Sequence, residues 1–119
     1  MTKKDENGSD KPLVVVESPF AGDVEKNIRY ARACMRDSLI RGEYPFAMHL
    51  LYTQDGILND DIPVERNLGI EAGLAWCRYA SKTVVYTDLG ISSGMELGIQ
   101  RAREEGREIE YRKLESWVP

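Results

Sequence analysis

The sequence predicts an α/β protein, a Rossmann-like three-layer sandwich with a mainly parallel four-stranded sheet. Two observations predict this fold. First, residues 13–17 and 83–87 are continuous apolar, β-branched runs, which is typical of strands buried on both faces. Second, the segments between such runs carry apolar residues every three or four positions, the period of an amphipathic helix. The order β-α-β-α-β-α-β favours parallel pairing through right-handed crossovers, and we expect the strand order 2-1-3-4.

The amino-terminal part predicts a tail followed by the first strand and helix. Residues 1–11 are polar and predict a flexible tail, and one domain is expected over residues 12–119. The first strand is residues 13–17. The first helix has Asp23 at its N-cap and Gly42 just beyond its end. Its apolar face consists of Val24, Ile28, Ala31, Met35 and Leu39.

The middle of the chain predicts a second strand and a second helix. Residues 44–49 are short, apolar and contain a proline near the start, as expected of a strand. The helix is expected over about residues 62–79, with Asp61 as N-cap and Pro63 in the first turn. Its apolar face is predicted to consist of Leu68, Ala72, Ala75 and Tyr79. The same helix carries two glycines that would let another backbone approach closely, Gly69 and Gly73.

The last third predicts one more strand, helix and strand. After the strand at residues 83–87, a helix is expected over 94–105. Ser93 and Glu96 have the spacing of a capping box, with Ser93 as N-cap and Glu96 reaching back. Residues 108–112 form a more polar strand that suits a sheet edge. We expect Trp117, in the closing segment, to pack back on the fold.

Composition and charge exclude several functions. The 119 residues, of 13.5 kDa, suit one domain, and the net charge of −4 argues against duplex nucleic acid as the main partner. No transmembrane helix and no signal peptide is predicted, so we expect a cytoplasmic protein with Cys34 and Cys77 reduced. With His49 as the one histidine, a structural zinc site of the usual kind is excluded. We expect no metal and no cofactor.

Candidate ligand contacts lie in the loops that follow the strands. In an open parallel sheet, ligands bind beyond the carboxyl ends of the strands. In the first such loop, Ser18 and Gly22 stand before a helix, where backbone N–H groups can hold a phosphate; a simple turn is the alternative. Phe20 can stack on a base or plug the core. His49 follows the second strand, where it can bind a ligand or merely be packed.

The loop before the third helix is the richest in polar groups. Asp88, at the end of the third strand, can contact a ligand hydroxyl or make an Asx-turn. The helix start can cradle a phosphate through free N–H groups and its dipole, although the capping box is the alternative there. The residues of this helix start are Ser92, Ser93, Gly94 and Met95.

Four short motifs follow one another along the chain. They are Ser18-Pro19-Phe20 with Gly22, Asp23 and Asn27; His49-Leu50-Leu51; Asp61-Ile62-Pro63-Val64-Glu65-Arg66; and Ser92-Ser93-Gly94-Met95. In their order and spacing they resemble the nucleoside 2-deoxyribosyltransferase-like superfamily, most closely a small branch of it from phages and bacteria. The resemblance covers about residues 13–112.

The resemblance implies chemistry at an N-glycosidic bond. Enzymes of that superfamily cleave or exchange this bond in deoxynucleosides or their monophosphates, with a glutamate nucleophile and no metal. The resemblance implies Glu96 as nucleophile and Asp88 as its orienting partner, provided that two residues are deleted in the first helical turn. Without that gap the matching position is Gly98, and the nucleophile is missing. The ligand-binding residues implied are Ser18, Pro19, Phe20, Gly22, Asp23, Asn27, His49, Ser92, Ser93, Gly94 and Met95.

Two functions of different classes follow, and whether the chain is an enzyme stays open. The favoured one is binding of a nucleotide or nucleotide-derived molecule, which in a phage protein would sequester a defence signal. The alternative is a nucleoside or nucleotide N-glycosidase or deoxyribosyltransferase. A structural module with a vestigial pocket is a third reading. The resemblance also implies a homo-oligomer.

Overall fold

Four strands form one parallel sheet. The computed structural model describes residues 11–118. Its strands are β1 (Leu13–Glu17), β2 (Tyr44–Phe46), β3 (Lys82–Tyr86) and β4 (Glu108–Arg112), all paired in parallel in the order β2-β1-β3-β4. The α/β class and the predicted strand order are therefore confirmed. The predicted flexible tail lies, except for Lys11, outside the described residues.

Helices cover both faces of the sheet. They are α1 (Val24–Ile40), α2 (Pro63–Cys77) and α3 (Ser93–Glu104). Val14 and Val16 pack with residues of α1, whereas Val85 packs with Met95 and Ile99 of α3. Since neighbouring side chains of a strand point to opposite faces, α1 forms one outer layer and α3 lies on the other. None of the helices within residues 11–118 has the length and apolar character needed to cross a membrane.

The predicted second strand is too long. β2 ends at Phe46, and a 3₁₀ turn, Met48–Leu50, follows it. Ala47 retains an extended backbone, while the Leu50 N–H donates to the carbonyl of Ala47 and closes the turn at 3.0 Å. The turn moves His49 out of the sheet and over its carboxyl edge.

The predicted N-cap of the second helix is also wrong. α2 begins at Pro63, with Ile62 at the N-cap and no capping bond from a side chain. Proline at the first helical position needs no hydrogen-bond partner for its nitrogen, so an N-cap side chain has less to satisfy. The Asp61 N–H instead donates to the side chain of Asn59, whose own N–H donates to Glu65. These bonds hold the loop ahead of the helix.

The face that α2 turns inward differs from the predicted one. Leu68 and Tyr79 of the predicted apolar series are 55% and 62% exposed, and the buried residues of α2 are Gly73 and Cys77. A Cβ at Gly73 would lie 2.0 Å from the sulfur of Met48. The close approach expected at this glycine is therefore real, but a side chain makes it. Because Gly73 packs on Met48 of the 3₁₀ turn, the bulkier side chains of α2 do not face this turn.

A buried ion-pair cluster joins the start of β2 to the distant edge strand. Arg112 donates two hydrogen bonds to the Glu43 carboxylate, at 2.8 and 2.6 Å. Ser38 donates a third bond at 2.7 Å, and the Lys82 ammonium lies 3.1 Å away. Burial alone would raise the pKa of Glu43, but these donors outweigh it and lower the pKa to about 2. The carboxylate is thus charged and fully paired at neutral pH.

The closing segment returns to the core as expected. The Trp117 ring meets the Tyr30 ring edge-on, with centroids 4.9 Å apart. This prediction is confirmed.

Candidate functional site

A cavity of about 390 Å³ opens at the carboxyl edge of the sheet. The chain leaves β1 toward β2 on one side and returns to β3 on the other, so the strand order reverses between β1 and β3. Such a switch point is where open α/β sheets bind ligands. Val15 and Glu17 of β1 line the cavity together with residues of α2, α3 and the 3₁₀ turn. The cavity is large enough for a small metabolite.

Glu17 is the functional candidate that the sequence reasoning missed. It ends β1, is only 9% exposed, and has no hydrogen bond or ion pair from its carboxyl group to any described residue. Burial raises the pKa of Glu17 to about 8, against a smaller lowering by the Arg107 charge. Such a perturbed carboxyl group in a cleft marks a functional candidate. The sequence does contain one signal for Glu17: it is the single acidic residue at the end of a β-branched run, at the switch point of the sheet.

Gly98 of α3 makes room for this carboxyl group. A Cβ built on Gly98 would lie 2.1 Å from Oε2 of Glu17, which is far inside van der Waals contact. The Glu17 side chain, at the end of β1, therefore fills the space beside this turn of α3. Gly98 is the position at which the ungapped resemblance lacks its glutamate, and the structure brings the carboxyl group of Glu17 to that position.

Ser18, His49 and Phe20 meet at the cavity as predicted candidates. Ser18 Oγ and His49 Nε2 are hydrogen-bonded at 3.0 Å, and the Phe20 ring lies edge-on to the imidazole at 5.9 Å. Burial lowers the pKa of His49 to about 4, so the ring is neutral at pH 7. A neutral imidazole and a hydroxyl offer both a donor and an acceptor to a ligand.

The same pair lacks the features of an activated serine nucleophile. A nucleophile needs a base that a third group orients, and no described residue makes a hydrogen bond to Nδ1 of His49. An imidazole with a pKa near 4 is also a weak base. The pair therefore suits recognition of a hydroxyl group better than acyl transfer.

The amino terminus of α3 lines the cavity, and its cap differs by one residue from the prediction. Ser92, not Ser93, is the N-cap: its Oγ accepts from the Met95 N–H at 3.2 Å, and the Ser92 N–H faces the Met95 sulfur at 3.4 Å. Glu96 therefore does not reach back, and the predicted capping box is wrong. The N–H groups of Ser93 and Gly94, at the first two helical positions, have no carbonyl partner within the helix.

The cap can be tested directly. We expect Ser92→Ala to reduce the free energy of unfolding by about 1 kcal/mol, because the Met95 N–H loses its acceptor. We expect Ser93→Ala to cost less than half as much, since Ser93 makes no capping bond. Urea denaturation of both variants gives the comparison. A larger loss in Ser93→Ala would restore the cap predicted from the sequence.

Positive side chains also line the cavity. Arg66 of α2 lies 3.8 Å from Asp60 and is largely exposed, and Arg101 of α3 makes no ion pair with any residue between 11 and 118. Arg107 is buried and donates to Thr83, to the carbonyl of Cys77 and, at 2.6 Å, to the Glu105 carboxylate. A helix amino terminus favours an anionic ligand, and so do arginines without a close ion-pair partner, here Arg66 and Arg101.

The candidates in the β1–α1 loop hold the loop in place. Asn27 donates to the carbonyls of Phe20 and Ala21 at 2.9 and 3.1 Å. Asp23 accepts from the Lys26 N–H, which confirms it as the N-cap of α1. Gly22 has a φ of 101°, a conformation that favours glycine. None of these three, nor the buried Pro19, lines the cavity.

The two predicted catalytic residues also lie outside the cavity. Asp88 accepts from the Tyr30 hydroxyl at 2.5 Å and from the Leu114 N–H at 3.0 Å. Although burial opposes it, these bonds lower the pKa of Asp88. Glu96 is exposed on α3 and does not line the cavity. The structure thus brings together Ser18, Phe20, His49, Ser92, Ser93, Gly94 and Met95, and it leaves Asp88 and Glu96 apart from them.

Within residues 11–118, no group of three or more histidine, cysteine or acidic side chains is arranged to hold a metal ion.

Fold and site together define a small Rossmann-like α/β domain with a ligand-sized cavity at its switch point. A model for a domain of unknown function, DUF7768, matches residues 12–112, and the chain belongs to that family. No curated protein and no solved structure matches the chain.

Proposed function

We propose that this domain binds a nucleotide or a nucleotide-derived small molecule in the cavity. One observation carries the proposal. At the switch point, the same cavity is lined by a helix amino terminus, by apolar side chains and by arginines without a close ion-pair partner. A nucleotide offers the matching parts: a phosphate, a sugar with hydroxyl groups and a flat, largely apolar base. The resemblance in sequence motifs points to the same class of ligand.

The cavity offers a place for each part of such a ligand. The free N–H groups of Ser93 and Gly94 suit the phosphate, with Arg101 on the same helix. The Ser18–His49 pair suits a sugar hydroxyl. The Phe20 ring suits a base, and the cavity has further apolar lining from Leu58, Ile70, Leu74 and Leu97.

Thermal stabilisation by a panel of nucleotides tests the proposal. The panel contains the four common nucleoside monophosphates and ADP-ribose, each compared with its nucleoside or with ribose. We expect at least one nucleotide to stabilise the fold, by about 2.7 kcal/mol at a hundredfold excess over Kd, and its unphosphorylated form to do so far less. Equal binding of the two forms would contradict the assigned phosphate position.

Two arginines of one helix provide a matched pair of variants. Arg101 lines the cavity, whereas Arg103 lies on the same helix outside it. We expect Arg101→Gln to weaken nucleotide binding about tenfold, which corresponds to about 1.4 kcal/mol, and Arg103→Gln to leave it nearly unchanged. Equal losses in both variants would indicate a general charge effect.

Cleavage of an N-glycosidic bond is a second candidate function, and Glu17 specifically favours it. A protonated carboxyl group in the cavity can pass its proton to the leaving base while the bond from the base nitrogen to C1′ breaks. Water then supplies hydroxide to C1′ and returns its proton to the Glu17 carboxylate. The overall reaction is hydrolysis to free base and sugar.

Release of free base distinguishes the two acids. If this reaction occurs, we expect Glu17→Gln to lose it by a hundredfold or more and Glu96→Gln to retain it, since Glu96 lies outside the cavity. Loss in Glu96→Gln alone would support the role implied by the motifs. Binding with recovery of intact nucleotide would leave binding as the function. Sequestration of a signal and homo-oligomer formation stay predictions.

A further inference from the structure

We propose that Glu17 binds the ligand as a neutral carboxyl group, donating its proton in a hydrogen bond to an acceptor atom of the bound molecule. The ligand class is then narrower: a phosphate ester that also carries a hydrogen-bond acceptor, such as a ring nitrogen of a base. Uptake of this ligand is coupled to a proton. The inference rests on the proposed function and deepens it.

The position of Glu17 is the first support. The side chain is only 9% exposed, and no described residue donates to it or accepts from it. Across residues 11–118, no fully buried side-chain oxygen or nitrogen lacks a hydrogen-bond partner. The unpartnered oxygens of Glu17 must therefore retain access to the cavity that Glu17 lines. A buried polar group in this position is satisfied by what enters the cavity.

The backbone of α3 fixes this orientation. Because Oε2 lies where a Cβ of residue 98 would be, the carboxyl group rests against a helix surface that only glycine leaves open. Val85 of β3 pairs with Glu17 in the sheet and offers no polar side chain. The carboxyl group thus has apolar or backbone neighbours on these two sides and the cavity on another.

Charge balance in the cavity favours the neutral form when an anion is bound. The charged side chains that face the cavity besides Glu17 come from α2, α3 and the adjoining loops; they are Asp60, Glu65, Arg66, Arg101, Glu104 and Arg107. Arg107 is paired with Glu105, which lies outside the lining, so two arginines remain for these three carboxylates. An ionised Glu17 would add an unbalanced negative charge beside the phosphate, in a buried position where it is poorly screened.

The other cavity groups with a shifted pKa keep their charge state in the pH range in which Glu17 titrates. Burial raises the pKa of Glu17 to about 8 and lowers that of His49 to about 4. Burial likewise raises the pKa of Cys77 to about 11. Of these three groups, Glu17 alone changes charge between pH 6 and pH 10. Because the Tyr52 hydroxyl also lines the cavity, the comparison with Glu17→Gln assigns a pH dependence of binding in that window to Glu17.

The pH dependence of nucleotide binding, measured by calorimetry, tests the inference. The probes are AMP, CMP and ADP-ribose, between pH 7 and pH 9.5, where neither their phosphates nor their bases titrate. For the wild type we expect the association constant to fall about 30-fold across this range. We also expect proton uptake at pH 9, seen as a dependence of the binding enthalpy on the ionisation enthalpy of the buffer.

Two glutamine variants complete the test. Glu17→Gln has no titrating proton but keeps the size and a permanent N–H donor, so we expect its association constant to be independent of pH between pH 7 and pH 9.5. Glu108→Gln removes an exposed carboxylate of β4 outside the cavity, and we expect it to keep the wild-type profile. A wild-type affinity that stays constant up to pH 9.5 would overturn the inference and leave the proposed function standing. No binding of any probe at any pH would overturn both.

Discussion

Replacing Glu43 by glutamine is expected to reduce the free energy of unfolding at pH 7 by roughly 3–5 kcal/mol. The Glu43 carboxylate accepts two hydrogen bonds from Arg112 and one from Ser38, and it faces Lys82. The variant removes the negative charge but leaves the guanidinium buried, with only Glu110 still paired to it. An unbalanced buried cation costs far more than an exposed ion pair contributes.

The pH dependence of this effect has a definite sign. The pKa of Glu43 is about 2 in the folded protein, below its ordinary value of 4.5. The stabilisation is thus complete above pH 4.5 and is lost as the pH falls toward 2. Urea denaturation should show a wide gap between wild type and variant at pH 7 that narrows below pH 4.

An exposed pair on α1 serves as the control for this cluster. Arg41 and Asp37 form an ion pair at 2.8 Å with much of both side chains in solvent. We expect Arg41→Gln to cost less than 1 kcal/mol. A Glu43→Gln loss as small as that of Arg41→Gln would contradict the structural role of the buried cluster.

Replacing Glu17 by glutamine is expected to stabilise the fold, increasingly so as the pH rises. The pKa of Glu17 is about 8 in the folded protein against an ordinary 4.5. Between these values the folded state holds a proton that the unfolded state has released, so the wild type loses stability as the pH rises. The variant has no such proton, and its advantage should grow from near zero at pH 4.5 to roughly 3–5 kcal/mol above pH 8.

Melting temperatures across pH 5 to pH 9 provide this comparison. Other titrating groups affect both proteins alike, so the difference between their profiles isolates Glu17. Glu108→Gln makes the same chemical change at an exposed site and should follow the wild type. Parallel profiles for wild type and Glu17→Gln would show that the Glu17 carboxyl group is not held in a desolvated position.

The sequence predicted best what local pattern determines. The runs around Val15 and Val84 could only be satisfied by burial on both faces, and they are central strands. The inward face of α2 is harder to predict from the sequence, because the helix has more apolar side chains than positions that meet the sheet. The contact between Gly73 and Met48 decides which face turns inward, and that contact joins distant parts of the chain.

The candidate site was predictable in location but not in its central group. The rule for parallel sheets correctly brought Ser18, His49 and the start of α3 to one edge. The motifs imply Glu96, because the superfamily that they resemble has its glutamate on the corresponding helix. Glu17 gains its properties from burial and from the gap at Gly98, neither of which is visible in local sequence.

A carbon-13 NMR titration of the glutamate carboxyl groups, with the Glu17 signal assigned by its absence in Glu17→Gln, tests the central claim most directly. Without nucleotide, we expect the Glu17 carboxyl group to titrate with a midpoint near pH 8. With the best-binding nucleotide at saturation, the midpoint should move higher, because the bound molecule accepts the proton in a hydrogen bond. A midpoint near pH 4.5, or one that moves lower when the nucleotide binds, would contradict a neutral Glu17 at the centre of the site.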